Sequence, residues 1–177
     1  MLKFISFGSG SSGNCYWLAT ETDALIIDVG VGLRGLRKNC KEYGVSLHNV
    51  HHVLVTHDHA DHIKSVGSIS ADFSLPIYAT REVHAGINRN YCVTKKVAHE
   101  LACYVEKGKT IILGDFQVTP FGVPHDSTDN VGSFIEAGGT NLCLITDAGV
   151  VTDEMKAVIT RAHHLVIEAN HDEEMVM

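Results

Sequence analysis

The sequence predicts an α/β (α+β) fold in which two β-sheets are covered on their outer faces by helices. Strand patterns recur along the whole chain, and a few segments with helical spacing interrupt them. From Leu101 onward the character changes, with short strands following one another at sharp Gly-containing turns. The length of 177 residues, 45% of them hydrophobic, supports one sizeable core and is too short for two comfortable domains.

Leu2 to Phe7 reads as the first strand and runs into a Gly/Ser-rich loop from Gly8 to Asn14. Cys15 to Ala19 and Ala24 to Ile27 are strands on either side of the turn Thr20-Glu21-Thr22-Asp23. Leu33, Leu36, Cys40 and Tyr43 recur at helical spacing, and Gly44 is placed to stop that helix. A strand over 52–56 leads into a loop rich in His and Asp, then a short helix from about Ile63. Pro76 to Ala79 is a further strand, with a helix beginning near Thr80. The runs 109–113, 116–121, 131–136 and 141–146 are strands separated by turns. Thr152 caps a helix reaching Thr160, and His164 to Ile167 is the last strand.

Composition narrows the function classes. A net charge of −7 argues against a broad basic surface for nucleic acid, although divalent ions at one site would restore positive charge locally. Five cysteines, odd in number and without a C-x-x-C pair, predict free thiols and a cytoplasmic protein. The first apolar run, Phe4 to Phe7, is too short for a signal-peptide core, and no run approaches a membrane span. No membrane partner is expected.

Twelve histidines are many for this length, and three of them fall with two aspartates in the six positions His57 to His62. The pattern H-x-H-x-D-H follows the apolar run Val53-Leu54-Val55, so it sits where a buried strand ends. Imidazole and carboxylate lone pairs crowded onto one turn suit a divalent metal. The spacing offers His57 with His59 as one set, and Asp61 with His62 as another. One hexapeptide cannot close two coordination spheres, so further ligands must come from elsewhere.

His125, after Val123-Pro124, and Asp147, after the apolar strand Leu142 to Ile145, are those candidates. Asp28 also ends an apolar strand, and its position suits orientation of a ligand better than ligation. Gly8 to Gly13 matches G-x-G-x-x-G, but the aromatic strand that follows leaves no room for the helix a dinucleotide site needs. Two readings of that loop remain: a flexible turn, or a nest in which Ser11 and Asn14 face a substrate oxyanion or phosphate. Glu168 and His171 read as substrate contacts or, equally, as solvent-facing residues. His48, His51, His52, His84, His99, His163 and His164 show no convergent pattern and are expected on the surface or as satisfied core residues.

Taken together, T-H-D-H-A-D-H, P-H-D and T-D-A-G after apolar strands resemble the metallo-β-lactamase superfamily. The resemblance implies an αββα sandwich with two metal ions at one edge, zinc or manganese before iron. By position, His57, His59 and His125 would hold metal 1, Asp61 and His62 would hold metal 2, and Asp147 would bridge them. Ser9 to Asn14, Leu25 to Gly30 and Glu168 to Asp172 further resemble the WalJ (YycJ) branch, regarded as DNA exonucleases. That resemblance implies hydrolysis of a phosphodiester in nucleic acid (DNA), with Asp61 orienting an activated water; a thioesterase or lactonase is the alternative. The superfamily's last metal-2 histidine lies on a later segment, so the expected molecule is a single domain over 1–177 missing its C-terminal portion. His171 is then the residue that would close metal 2.

The mixed donor set leads to a direct expectation. Protein purified without chelator carries zinc or manganese in excess of iron, at no less than about half an equivalent in elemental analysis.

Overall fold

The computed structural model describes residues 1–124 and 129–168. Six strands form one sheet in sequence order: β1 (Lys3–Gly8), β2 (Cys15–Ala19), β3 (Ala24–Ile27), β4 (Val50–Leu54), β5 (Ile77–Ala79) and β6 (Ala102–Tyr104). Its first three strands are antiparallel, and β3 to β6 run parallel. The second sheet has five strands, β7 (Ile111–Leu113), β8 (Phe116–Gly122), β9 (Val131–Ala137), β10 (Thr140–Ile145) and β11 (His164–Ile167). Here β7 to β10 form an antiparallel meander, and β11 returns parallel beside β10.

Alternation along each strand sorts the apolar residues into three layers. Cys15 and Trp17 of β2 face outward, joining Ile26, Leu36, Ile69, Val83 and Ile87 under the helices α1 (Leu33–Tyr43), α3 (Val66–Phe73) and α4 (Arg81–Arg89). Tyr16 and Leu18 of the same strand face inward, packing with Leu25, Ile27, Phe116, Val118 and Leu144 between the sheets. Phe134, Cys143 and Ile145 turn to the far side of the second sheet and meet Met155 of α5 (Asp153–Ile159). The result is the αββα sandwich. Each fully buried Leu or Ile in these layers contributes roughly 1.5–3 kcal/mol.

Helix boundaries follow local chemistry. Gly44 ends α1 in the left-handed region (φ 68°), and its N–H reaches the carbonyls of Cys40 and Lys41. The hydroxyls of Thr80 and Thr152 accept from the amides of Val83 and Met155, capping α4 and α5. Three expectations shift. Residues Ala60–Ile63 already form a helical turn, α2, so Asp61 and His62 are helical rather than loop residues. β4 spans Val50–Leu54, earlier than the expected 52–56. The short β6 was not expected, because three residues are too few for a visible alternation.

Because β3, β4 and β5 run parallel, they deliver their carboxyl ends to one edge of the sandwich. Three backbone segments meet there. The Asn14 amide donates to the Asp61 carbonyl (2.7 Å), the Gly30 amide to the Asn14 carbonyl (2.9 Å), and the Val29 amide to the His62 carbonyl (2.8 Å). The approach is so close that a Cβ on Gly30 would lie 1.5 Å from the Asp61 oxygen. β2 starts directly after the Gly/Ser-rich loop, so no helix follows its glycines and the dinucleotide reading fails as expected.

The packing predicts opposite outcomes for two glycines. Gly30→Ala forces backbone apart and loses at least about 2 kcal/mol in urea unfolding. Gly35→Ala, in α1 with open space around it, gains about 0.5–1 kcal/mol.

Candidate metal centre

The centre is assembled from the carboxyl ends of β3, β4 and β10. Asp28 follows β3 in the left-handed region (φ 62°) and is fully buried. Its Oδ1 accepts from the Thr56 amide (2.8 Å) and its Oδ2 from the Thr56 hydroxyl (2.7 Å), while Oδ2 lies 2.6 Å from His62 Nδ1. The same carboxylate thus ties β3 to β4 and sets the plane of the His62 ring. Its second ring nitrogen, Nε2, then points into the site.

The tautomer of His57 follows from the same network. The Thr56 hydroxyl donates its one O–H to Asp28, so toward His57 Nδ1 (2.9 Å) it can only accept. A metal-bound His57 would therefore keep its proton on Nδ1 and offer the Nε2 lone pair to the ion. Thr56 is also a cross-sheet anchor. Its carbonyl accepts from the Val131 amide (3.0 Å), and its hydroxyl oxygen accepts from Thr146 (3.3 Å).

Asp147, just past β10, has φ 52° and is 5% exposed. One of its oxygens, Oδ2, lies 2.9 Å from His57 Nε2 and 2.9 Å from His62 Nε2. Ligand atoms of His57, His62 and Asp147 all fall within 4.8 Å of one another, and all three residues are buried. Two imidazole nitrogens and a carboxylate, with a second carboxylate behind one ring, suit a borderline divalent cation such as zinc. The residues fit the group.

Electrostatics agree with a cation site. Burial opposes charge on His62, but Asp28, Asp147 and Asp61 outweigh it and raise its pKa to about 10. Burial would raise the Asp147 carboxyl, yet hydrogen bonds from His57 and His62 hold it far below the usual carboxylate range. In the metal-free protein a proton on His62 thus stands where a cation would neutralise the carboxylates. Burial, followed by the charge of Asp147, pushes the Glu168 carboxyl upward.

Other predicted residues gather around this core to different degrees. Asp61 Oδ2 is 3.7 Å from His62 Nε2, at the mouth of the centre. The half-buried His59 places its ring centroid 4.9 Å from that of His57. Glu168 continues the ladder past β11, and its Oε2 accepts from the Tyr16 hydroxyl at 3.4 Å. Ser11 is exposed in the Gly/Ser-rich loop. His125 and His171 lie outside the described residues.

Asn14 departs from the substrate-contact reading. It is 0% exposed, and its side chain is occupied by both backbone groups of Gly10 (2.9 Å each), by Asp61 Oδ2 (3.1 Å) and by His62 Nε2 (3.1 Å). It steadies the ligand turn from behind. His51 and His52 also depart from expectation, since both rings converge on Asp23 at the far end of β3 and β4. The signal was absent from the spacing because a strand irregularity, invisible in sequence, brings adjacent side chains together.

Comparisons with known proteins match this architecture. A family model described as Beta-lactamase superfamily domain matches residues 24–177. Exodeoxyribonuclease YycJ of Bacillus anthracis is 32% identical over 175 residues, which cover 99% of this chain and 65% of that protein. Exodeoxyribonuclease WalJ of Streptococcus pneumoniae is 29% identical, covering 98% of this chain and 64% of that protein. The chain therefore spans less than two-thirds of the length of these curated relatives, 65% and 64%. Among solved structures, zinc-bound PqqB from Methylobacterium extorquens superimposes with a TM-score of 0.81 at 20% identity, over 99% of this chain and 76% of that one.

The orienting carboxylate gives a test at constant shape. Asp28→Asn keeps a residue that tolerates the left-handed region but removes the charge behind His62, so zinc affinity falls roughly 10–100-fold. The His62 pKa of about 10 adds a second. Its proton is present at neutral pH and must leave when zinc binds, so affinity rises with pH up to about 10. Calorimetry in buffers of different ionisation enthalpy reads that proton directly.

Proposed function

The chain belongs to the metallo-β-lactamase superfamily, and on that premise we propose that it is a divalent-metal-dependent phosphodiesterase acting on DNA ends. One observation carries the proposal: Asp147 Oδ2 stands 2.9 Å from a ring nitrogen of each of two histidines, which would suit a carboxylate shared by two ions. His57 and His59, with His125, would hold one ion; Asp61 and His62 would hold the other; Asp147 would belong to both. Zinc or manganese suits this donor set, with iron next. Bound as a pair, such ions supply the Lewis acidity that polarises a phosphoryl oxygen and acidifies an attacking water.

The protein's own groups supply the rest. Asp28 and Thr56 hold the two imidazoles in register, so the donors need no rearrangement. Asp61, open at the mouth of the site, accepts a hydrogen bond from the incoming water. Glu168, anchored by the Tyr16 hydroxyl, is the carboxyl that would pass a proton to the leaving oxygen. The exposed Ser11 loop offers hydroxyl and amide donors to a phosphate.

The DNA assignment is supported by the two relatives named exodeoxyribonuclease, which align along nearly the whole chain. The acidic net charge leaves positive charge to the ions rather than to a basic surface. All five cysteines are free, which supports a reducing cytoplasm. Among the described residues no helix is long and apolar enough to cross a membrane. A small-molecule hydrolase of the same fold, a thioesterase or lactonase, is the second reading.

Two measurements test the proposal. The metal-loaded protein hydrolyses single-stranded DNA and bis-nitrophenyl phosphate faster than nitrocefin or S-lactoylglutathione; the reverse order promotes the small-molecule reading. Asp147→Asn replaces a charged, two-oxygen ligand by one neutral acceptor and lowers kcat by at least about 100-fold, with the circular dichroism spectrum retained. Full activity in that variant removes Asp147 from the site.

A further inference from the structure

We propose that Asp23, His51 and His52 form a second, separate site for a divalent transition-metal ion, at the end of the sandwich opposite the centre described above. Asp23 precedes β3 and His51 and His52 are the second and third residues of β4, whereas Asp28 and His57 follow the same two strands. Asp23 and Asp28 flank the four residues of β3 and lie five positions apart, which separates the sites by roughly 16 Å. The inference does not depend on the DNA reading.

Adjacent residues on a strand normally point to opposite faces. Here Ala24 pairs with Val50 and Leu25 pairs with His52, leaving His51 as an extra residue in the ladder. That bulge turns both rings toward one carboxylate. His51 Nδ1 lies 2.6 Å from Asp23 Oδ1, and His52 Nε2 lies 3.3 Å from Asp23 Oδ2. One ligand atom from each residue falls within 4.8 Å of the others.

The carboxylate is held from both sheets. Asp23 is 8% exposed, and its oxygens accept from the amides of Ala24 (2.9 Å) and Asp115 (3.1 Å), the latter on the turn between β7 and β8. Asp115 is fixed in turn by the hydroxyls of Thr20 (2.6 Å) and Thr22 (2.7 Å), which brings a second negative charge close by. Gly114 (φ 58°) closes the site from the second sheet, where a Cβ would lie 1.9 Å from Asp23 Oδ2 and 2.9 Å from His52 Nε2. No side chain is tolerated there.

The donor set selects the ion. Two imidazoles and one carboxylate suit zinc, cobalt, nickel or copper rather than magnesium or calcium, which prefer oxygen. The His51 side chain is 54% exposed, so the site opens to water and retains a free coordination position. One feature sets its rank. His52 Nδ1 is buried without a hydrogen-bond partner among the described residues. Ligation through Nε2 places the proton on that nitrogen, at a cost of roughly one to two powers of ten in affinity. The site therefore fills after the centre at Asp147, and the ion clamps the Thr20–Asp23 turn and β4 beside the turn of the second sheet.

Zinc equilibrium dialysis with elemental analysis tests this on the full chain. Wild type saturates with one equivalent more than His51→Ala, a change at a half-exposed position that leaves the fold intact. His51→Cys restores the equivalent and, with cobalt in place of zinc, adds a sulfur-to-cobalt charge-transfer band absent from wild type. Equal saturation of wild type and His51→Ala overturns the proposal, as does the absence of that band from His51→Cys.

Discussion

The arrangement of the centre depends on one buried carboxylate. Asp28 is withdrawn from water, and a buried charge is tolerated only when it is paired and hydrogen-bonded. Its partners are the Thr56 amide, the Thr56 hydroxyl and the His62 ring, all on the segment that leaves β4. Satisfying Asp28 therefore fixes where that segment goes. It also settles which nitrogens remain: Thr56 can only accept from His57, and His62 is held through Nδ1, so both Nε2 atoms face Asp147. Among the described residues, Asp28, Ser74 and Asp147 are the non-glycine residues with positive φ. Two of these three belong to the centre, where such backbone is held by surrounding bonds and serves to aim a side chain.

Glycine completes the support. Gly30 lets the β3 exit touch the Asp61 carbonyl, and Asn14 inserts its amide between that carbonyl and Gly10. The Gly/Ser-rich loop is thus a packing element for the ligand turn as well as an open surface at Ser11. The same scaffold is similar to proteins named exodeoxyribonuclease and to PqqB, so the fold alone does not choose a substrate. The choice rests on what surrounds the metal centre.

Much of this was legible in the sequence. Short apolar runs bounded by turns placed β2, β3 and β11 at their observed boundaries, and Thr80, Thr152 and Gly44 marked the ends of three helices. The H-x-H-x-D-H run located the centre because its donors are contiguous. Other parts depended on tertiary contact. β6 is too short to show a period. Asn14 looked exposed in a Gly/Ser-rich setting, and only the return of residues 59–62 over it reveals a buried role. His51 and His52 read as unrelated neighbours, because the bulge that aligns them leaves no mark in composition or spacing.

The central proposal is that Asp147 would stand between two ions, one on His57 and one on His62. Anomalous diffraction from zinc-loaded crystals measures this most directly. The account predicts two peaks about 3.5–4 Å apart, flanking the Asp147 carboxylate, one within bonding distance of each Nε2. A single peak shared by His57 and His62, or two peaks with Asp147 turned away from both, would contradict it.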